Sequence, residues 1–301
     1  MTSAMTTAER RGYQQICGDN GLMMVVAADQ RGGMRKVLAD TPEAQAAIDE
    51  ATLGVVKSAI VAHLANKASC ILLDPVCAVP GVVDDGVLAR DTGLLIGLDA
   101  SGWDVDAGGY RISKLVPGVT ARRVRELGGT GAKLMVYLRP DTPGANDTNI
   151  AIIRDCIADF AAEDVLLVVE ILTYQLEGES DADYRAAFPG LIVDSARISV
   201  DLGAKVLKLP YPGTAEACAR ITALCGDIPW AVLSAGVDHE TFIGQVETAM
   251  ANGAAGVIAG RALWKDCISL DADIRADRLE RIASGRLREI QAVLDRHATL
   301  G

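Results

Sequence analysis

Eight short apolar segments recur along the 301-residue chain, and each is followed by a helical pattern or a long loop. Each segment is an almost continuous apolar run, as expected for strands buried on both faces of a parallel sheet that is covered by helices. Eight such units predict a single (β/α)8 TIM barrel, with a doubly wound open sheet as the alternative. The predicted strands lie within residues 22–28, 70–75, 93–99, 132–138, 165–172, 203–213, 229–236 and 254–260.

The predicted barrel is one domain over residues 1–301, because no linker, low-complexity stretch or change in composition divides the chain. A short helix over residues 6–17 precedes the first strand, and its Thr6 and Glu9 match a capping box. An amphipathic helical tail is predicted over residues 271–297. Three further predictions concern the connections: one long helix from Pro42 to about residue 67, a glycine-rich loop over residues 100–117, and a helix that begins at Pro189.

Composition limits the partners of the protein. The net charge of −11 argues against nucleic acids and anionic membranes, because both bind basic surfaces. The seven cysteines show no CxxC spacing and are typical of free thiols in a reducing compartment. The amino-terminal segment lacks the apolar core of a signal peptide, and no apolar run approaches the roughly 18 residues of a membrane span. We therefore expect a cytoplasmic protein.

The sixth predicted strand carries a lysine where the strand ends. Side chains alternate along a strand, so Lys208 shares a face with Val206, whereas Lys205 points to the other side. Pro210 and Pro212 have no N–H for strand pairing and end the strand. Two interpretations of Lys208 are open: a strand-end lysine in a salt bridge, or a functional amine inside the barrel.

Polar side chains mark the same end of other strands. In a (β/α)8 barrel the active site lies at the carboxyl-terminal mouth, so this collection favours a site. A helix cap or a structural ion pair is the alternative for each residue alone. The residues are Asp29, Asp74, Asp99, Glu170, Ser234 and Arg261, and Lys133 lies deeper in the fourth strand.

These side chains suit Schiff-base chemistry at Lys208. A lysine amine becomes nucleophilic when it is desolvated or lies near another cation, and Lys133 is a candidate for that cation because alternate strands share interior layers. Glu170, on the intervening strand, is expected to offset the charge or to transfer protons. Asp29 is expected to act as a second acid or base, or to hold a substrate hydroxyl. The set predicts attack on a ketone and cleavage of a carbon–carbon bond.

Two glycine-containing loops, after the seventh and eighth strands, indicate a phosphate site. They read Ser234-Ala235-Gly236 and Ala259-Gly260-Arg261. Such loops commonly bind phosphate in barrels, because glycine lets backbone N–H groups approach the anion and arginine supplies a planar fork. Tight turns and a surface arginine are the alternative explanation.

The sequence offers neither a metal site nor a nucleotide-binding motif. His63, His239 and His297 are the three histidines, and they lie on separate predicted helices. No imidazole cluster for metal-assisted carbon–carbon cleavage is therefore expected. No GxGxxG follows the first strand, and GxxxxGK[ST] is absent. We expect no metal and no cofactor.

The same segments carry a family resemblance. Taken in order, they resemble the class I tagatose-1,6-bisphosphate aldolases and the related sulfofructosephosphate aldolases. The resemblance implies that Lys208 forms the Schiff base, that Glu170 transfers protons and that Lys133 is the neighbouring cation. It further implies that Asp29 and Gln30 contact substrate and that Ser234, Gly236, Gly260 and Arg261 surround a phosphate. The motifs are ADQRG, LLDP, AKLMVYL, VVEILTY, VLKLP, PWAVLSAGVD and GVIAGRALW.

The resemblance implies cleavage of a ketose 1-phosphate to dihydroxyacetone phosphate and an aldehyde. The segments ILLDP, DASGWD and EILTY resemble the tagatose branch, whereas GVDHETF and NGAAGVIAGRALW resemble the sulfosugar branch. We favour tagatose 1,6-bisphosphate, which gives glyceraldehyde 3-phosphate, over sulfofructose 1-phosphate, which gives sulfolactaldehyde. Arg31 and Arg139 are candidates for the distal phosphate or sulfonate, with a helix-facing position and a loop position as their respective alternatives.

Other hypotheses stay open at this stage. A transaldolase-type transfer uses the same Schiff base, and a phospho-sugar-binding regulator uses the same pocket without turnover. In every one of these hypotheses the ligand is a small phosphorylated sugar. The helical tail either forms a contact in a homo-oligomer or covers the barrel.

Overall fold

The predicted strands close into a parallel barrel. The computed structural model describes residues 4–298, so the predicted domain limits at residues 1 and 301 lie outside the described residues. Within this range the strands are β1 (Met23–Ala27), β2 (Cys70–Leu73), β3 (Gly93–Gly97), β4 (Asp99–Val105), β5 (Arg111–Leu115), β6 (Gly131–Tyr137), β7 (Leu166–Leu172), β8 (Val206–Pro210), β9 (Trp230–Leu233) and β10 (Gly256–Ala259). The barrel order is β1-β2-β3-β6-β7-β8-β9-β10, and β1 pairs with both β2 and β10. The (β/α)8 barrel is confirmed, and the open-sheet alternative is wrong.

Helices pack around the barrel. The predicted capping box is present, since the Thr6 hydroxyl accepts a hydrogen bond from the backbone N–H of Glu9 and the Glu9 carboxylate accepts one from that of Thr6. Of the helices within residues 4–298, none is both long enough and apolar enough to cross a membrane. The helices are α1 (Thr7–Ile16), α2 (Gly32–Leu38), α3 (Pro42–Ala47), α4 (Glu50–His63), α5 (Gly81–Asp84), α6 (Ala121–Glu126), α7 (Asp147–Ala162), α8 (Asp181–Asp201), α9 (Ala215–Cys225), α10 (His239–Ala251), α11 (Arg261–Trp264), α12 (Ala272–Arg278) and α13 (Ser284–Ala298), with a 3₁₀ turn at Ala65–Lys67 and a π-helical turn at Leu279–Ala283.

The alternation of side chains in β8 fixes the direction of Lys208. Val206 belongs to the apolar cluster inside the barrel, and Leu207 belongs to the cluster between the barrel and the helices. Lys208 follows Val206 by two residues and therefore faces the interior. Lys205 instead pairs with Glu9 of α1, with 2.7 Å between Nζ and Oε1. The interior position of Lys208 follows directly from the strand period.

The single long helix predicted after Pro42 is wrong. Helix α3 ends at Ala47, Ile48 is extended, and α4 begins at Glu50. The Asp49 carboxylate caps α4 by accepting a hydrogen bond from the backbone N–H of Thr52. Such a cap satisfies a donor that would otherwise be unpaired and so starts a second helix.

The prediction that a helix begins at Pro189 is also wrong. Helix α8 begins at Asp181, and Pro189 lies inside it. The Ser180 hydroxyl caps the helix by accepting a hydrogen bond from the backbone N–H of Asp183. The helical tail is confirmed, but the π-helical turn divides it into α12 and α13.

The glycine-rich loop predicted over residues 100–117 is instead a β-hairpin. Strands β4 and β5 pair antiparallel. The Asp106 carboxylate forms the turn by accepting hydrogen bonds from the backbone N–H groups of Gly108 and Tyr110. The Asn149 side chain of α7 fixes the hairpin, because it accepts from the Ser113 N–H and donates to the Arg111 carbonyl. The hairpin is thereby held at the mouth of the barrel.

Closure of the barrel depends on a close approach at Gly256. Its φ is +129°, and a Cβ there would lie 2.2 Å from the carbonyl oxygen of Met23. We expect Gly256→Ala to lower the free energy of unfolding by at least about 3 kcal/mol, measured by urea unfolding. Gly190→Ala is the matched control, because no heavy atom lies within 4 Å of the added methyl group inside α8. The control is expected to gain about 0.5–1 kcal/mol from helix propensity. Equal stability of the two variants would contradict this account of closure.

Candidate active site

Two lysines and one glutamate meet inside the barrel. Glu170 of β7 and Lys208 of β8 are paired in register, and the distance from Glu170 Oε2 to Lys208 Nζ is 2.8 Å. The same oxygen lies 3.3 Å from Nζ of Lys133, on β6. All three side chains are nearly excluded from solvent. One carboxylate oxygen thus contacts two ammonium groups, as the strand positions predicted.

Lys133 is surrounded by three carboxylates. Its Nζ lies 2.7 Å from Asp29 Oδ2, at the end of β1, and it donates a hydrogen bond to Asp99 Oδ1, at the start of β4. Glu170 is the third. The structure therefore places Asp29 beside Lys133, a contact that the sequence did not predict. It also adds Asp99, which the sequence marked only as a strand-end carboxylate.

The pKa shifts of these charged groups differ in direction, and the differences indicate different roles. Burial opposes the charge of Asp29, but Lys133 and Lys208 outweigh it and lower the pKa of Asp29 to about 2. Burial also disfavours the charge of Lys133, yet its three carboxylates raise the pKa of this lysine well above the usual value. Asp99 has a raised pKa, because burial together with Asp29 and Glu170 outweighs the attraction of Lys133. Lys133 is therefore a fixed cation, and Asp99 is a carboxyl group inclined to hold a proton.

A cavity of about 210 Å³ joins Lys208 to the loops that were predicted to bind phosphate. It is lined by Lys208, Glu170, Gln30, Ser234, Gly236, Gly260 and Arg261, among others. A larger depression of about 880 Å³ lies at the opposite end of the barrel, beside Ser69 and Gly93, and has no contact with either lysine. The smaller cavity is the candidate site because the charged groups converge on it.

Backbone geometry shapes the loop side of this cavity. Ala235 and Gly236 both have positive φ, +48° and +86°, so the backbone turns sharply after β9. A Cβ on Gly236 would lie 3.1 Å from Arg261 Cζ, and one on Gly260 would lie 2.6 Å from the Ala27 carbonyl oxygen. Glycine is therefore required at both positions. The left-handed conformation of Ala235 is uncommon for a residue with a Cβ and is typical of functional loops.

Two oxygens at the end of β1 have no hydrogen-bond partner. Gln30 Oε1 and Asp29 Oδ1 are both buried without a partner among residues 4–298. Unpaired buried acceptors are costly unless a ligand or water satisfies them. Gln30 also lines the cavity. These two oxygens are therefore placed to accept hydrogen bonds from a bound hydroxyl group.

Arg139 does not serve as an anion-binding residue, so that candidate role is wrong. Its guanidinium donates to both carboxylate oxygens of Asp141, to both of Glu179 and to the carbonyl oxygen of Tyr174. Its side chain is also almost fully buried. All donors are committed, so Arg139 instead joins the loops that follow β6 and β7.

Arg31 and Asp74 occupy the rim rather than the centre. The Arg31 guanidinium donates to the Asp99 carbonyl oxygen at 3.0 Å and lies 4.0 Å from Asp74. Asp74 is bound by the buried ammonium of Lys57, on α4, which was not identified from the sequence. No local pattern marks Lys57, because its partner follows seventeen positions later in another element. Asp74 is thus a structural ion-pair residue, and Arg31 holds the start of β4.

Histidines play no part in this site. His63 lies beside Glu280 and His239 beside Glu289, both on the outer helices. Among residues 4–298, no group of three or more His, Cys, Asp and Glu side chains is arranged to hold a metal ion.

Asp99 offers a test of the electrostatics through pH-dependent stability. Because its pKa is raised in the folded protein, its ionisation costs stability as the pH rises above the ordinary value, and the cost is complete above the folded pKa. We expect Asp99→Asn to become progressively more stable than the wild type between pH 4 and pH 8, measured by urea unfolding. Asp104→Asn, on the exposed arm of the same hairpin, is the control and should show no such trend. A stability difference independent of pH would contradict the assignment.

Comparison with known proteins gives matches to aldolases. A model of the DeoC/LacD family aldolases matches residues 23–266. A protein of Streptococcus agalactiae named tagatose 1,6-diphosphate aldolase 2 is 25% identical, over 98% of this chain and 98% of its own length. A tagatose 1,6-diphosphate aldolase of Listeria innocua is 28% identical, over 88% of this chain and 84% of its own.

A solved structure shows a similar fold. It is an archaeal fructose-1,6-bisphosphate aldolase whose catalytic lysine is covalently bound to a carbinolamine intermediate. It matches with a TM-score of 0.61 at 17% identity, covering 93% of this chain and 98% of that chain. The family model extends from the first residue of β1 to beyond α11 and thus includes every strand of the barrel. The chain accordingly belongs to the DeoC/LacD family of aldolases.

Proposed function

We propose that this aldolase cleaves tagatose 1,6-bisphosphate reversibly to dihydroxyacetone phosphate and glyceraldehyde 3-phosphate through a Schiff base at Lys208. The observation that carries the proposal is the contact of Glu170 Oε2 with both Lys208 and Lys133, at the cavity that ends in the glycine loops. The names of the two relatives support the substrate, and the lysine-bound intermediate of the archaeal enzyme supports the chemistry. The reaction needs no metal ion or other cofactor.

The reaction begins with attack of Lys208 Nζ on the C2 ketone. Glu170 takes the proton that the amine releases and returns one to the carbinolamine hydroxyl, which leaves as water. Lys133 keeps a fixed positive charge beside Glu170. The Glu170 oxygen that contacts Lys133 also lies 2.8 Å from Lys208 Nζ, so it is within reach of the proton that the amine releases.

The resulting iminium draws electrons from the C3–C4 bond. Transfer of the C4 hydroxyl proton to Glu170, which has given its own proton to the departing water, breaks this bond and gives the aldehyde and an enamine on Lys208. The enamine then takes a proton at C3, and water hydrolyses the iminium to release dihydroxyacetone phosphate and the free lysine. Asp29, ionised at neutral pH and with one unpartnered oxygen, holds the substrate hydroxyl groups together with Gln30.

The 1-phosphate is assigned to the loops after β9 and β10. Ser234, Gly236 and Gly260 supply a hydroxyl and closely approaching backbone, and Arg261 supplies the charge. The guanidinium of Arg261 makes a long contact of 3.5 Å with the Ala235 carbonyl oxygen. Arg31, at the rim, remains a candidate contact for the sugar.

Lys208→Arg tests the nucleophile. A guanidinium keeps the charge beside Glu170 but stays protonated and cannot form the Schiff base, so we expect kcat to fall at least about 10³-fold. Lys205→Arg, at the residue that precedes the same strand, is the matched control and should keep turnover, because Lys205 pairs with Glu9. Borohydride reduction with dihydroxyacetone phosphate, followed by mass spectrometry, should place the adduct on Lys208 in the wild type and the control.

The outcomes separate the remaining hypotheses. An adduct on a different lysine would refute the assignment, and binding without any adduct would favour a phospho-sugar regulator. Transfer of the dihydroxyacetone unit to a second sugar in preference to release would favour a transaldolase-type reaction. Wild-type turnover should persist in EDTA, and its complete loss there would refute the metal-free mechanism.

Arg261→Gln tests the phosphate site. The phosphate is bound in both the ground state and the transition state, so we expect KM to rise about 10- to 100-fold with little change in kcat. Arg281→Gln is the control, because that arginine lies on the exposed tail and pairs with Asp277. Steady-state kinetics with tagatose 1,6-bisphosphate measures both constants. An unchanged KM in Arg261→Gln would place the phosphate elsewhere.

A further inference from the structure

The arginine at the start of β5 is enclosed by three aromatic rings. The Arg111 Cζ atom lies 3.9 Å from the centre of the Trp103 ring, 4.8 Å from that of Tyr174 and 5.2 Å from that of Tyr137. The rings also contact one another edge to face, with Tyr137 in the middle. Trp103 comes from the other arm of the hairpin, whereas the tyrosines come from the barrel wall. Arg111 is therefore held in one place by packing.

Arg111 has no counter-charge within the described part of the chain. No carboxylate oxygen of residues 4–298 lies within 4.0 Å of its guanidinium, whereas the nearby Arg139 contacts two carboxylates. The π faces of the rings attract a cation but do not neutralise it. In a chain with a net charge of −11, a half-buried arginine held by rings and left without an acid is suited to receive an anion from outside the chain.

The rings place Arg111 above the catalytic lysines. Tyr137 lies on the same face of β6 as Lys133, and it pairs with Leu172, two residues beyond Glu170. At a rise of about 3.3 Å per residue, Tyr137 lies roughly 7 Å nearer the mouth than the row of Glu170 and Lys208. Burial raises the pKa of Tyr137, and the nearby charges of Asp99 and Glu170 raise it further.

The two cationic positions face each other across the mouth. Arg261 follows β10, next to β9 and β1. Tyr137 belongs to β6 and Tyr174 follows the neighbouring β7, three to four strands away in a ring of eight. Lys208, on β8, lies between them. A sugar with an anionic group at each end, bound at C2 by Lys208, must direct its far end away from Arg261.

We propose that Arg111 binds the anionic group at the far end of the sugar and so selects the aldehyde half of the substrate. This proposal rests on the proposed function and adds the residue that recognises the far end of the substrate. The shared chemistry is a tetrahedral oxyanion, the C6 phosphate or a sulfonate, which the guanidinium meets with parallel N–H donors. The surrounding rings hold the guanidinium in one position against the barrel wall.

The test uses ligands that cannot react. A hexitol 1,6-bisphosphate and a hexitol 1-phosphate lack the ketone, so calorimetric titration reports binding alone, whether or not Lys208 performs the chemistry. The wild type should bind the bisphosphate about 10- to 100-fold more tightly than the monophosphate, and Arg111→Gln should abolish that advantage. Unchanged binding of the monophosphate by Arg111→Gln shows that the barrel is folded.

Two further variants control for charge and for structure. Lys114→Gln removes a positive charge from the exposed side of the same hairpin, where Lys114 pairs with Asp104, and should keep the advantage. Arg111→Lys keeps the charge and the ring contact and should restore part of it. An equal loss for both ligands in Arg111→Gln, or a wild type with no preference for the bisphosphate, would overturn the proposal.

Kinetics with the two natural candidates identifies the source of the anion. Tagatose 1,6-bisphosphate and sulfofructose 1-phosphate differ both in the anion at C6 and in the configuration at C4, so each variant is compared with the wild type on the same sugar. Arg111→Gln should lower kcat/KM for the substrate that the wild type prefers about 10- to 100-fold. Fructose 1-phosphate, which has no distal anion, should lose nothing. A wild type that discriminates in the binding test but cleaves none of these sugars would refute the proposed function and leave the anion site standing.

Discussion

One carboxylate oxygen, Oε2 of Glu170, is shared by two buried ammonium groups, and the site depends on that contact. Charges removed from water are costly unless they are paired, and in this barrel each buried lysine contacts a buried carboxylate. Three carboxylates and two ammonium groups carry an excess negative charge when all are ionised. The raised pKa of Asp99 shows where the cluster relieves that excess. The charged groups proposed for catalysis therefore also affect the stability of the barrel.

Strand periodicity made the centre of this arrangement predictable. Parallel strands that close on themselves send every second side chain inward, and side chains near the carboxyl ends meet at one mouth. That rule alone brought Lys133, Glu170 and Lys208 together, because they lie at neighbouring levels of β6, β7 and β8. The contact of Asp29 with Lys133 was not predicted, although Asp29 was marked as a strand-end acid. The glycine loops were predictable for a related reason, since they follow the last two strands.

The rest of the mouth depends on partners distant in sequence, which a strand pattern does not reveal. Arg139 carries the guanidinium typical of an anion-binding residue. Two of its N–H donors, however, are hydrogen-bonded to Glu179, which lies in the loop after β7. The segment after β3 is rich in glycine, yet Asp106 and Asn149 turn it into a hairpin. In each case, the hydrogen-bond partners of a polar side chain decide whether it can bind a ligand or instead holds the structure together. Those partners are known only from the folded chain.

The β4–β5 hairpin links the proposed anion site to the buried charged groups, because Arg111 lies on one of its strands and Asp99 on the other. Asp99 begins β4 and binds Lys133, while its carbonyl oxygen accepts a hydrogen bond from Arg31. Arg111, on the partner strand, is fixed by rings from both the hairpin and the barrel wall. A displacement of the hairpin would alter the position of Asp99 as well as that of Arg111, and therefore the acid that contacts Lys133. Because Lys133 in turn contacts Glu170, the outer rim and the proton-transfer group belong to one continuous network of contacts.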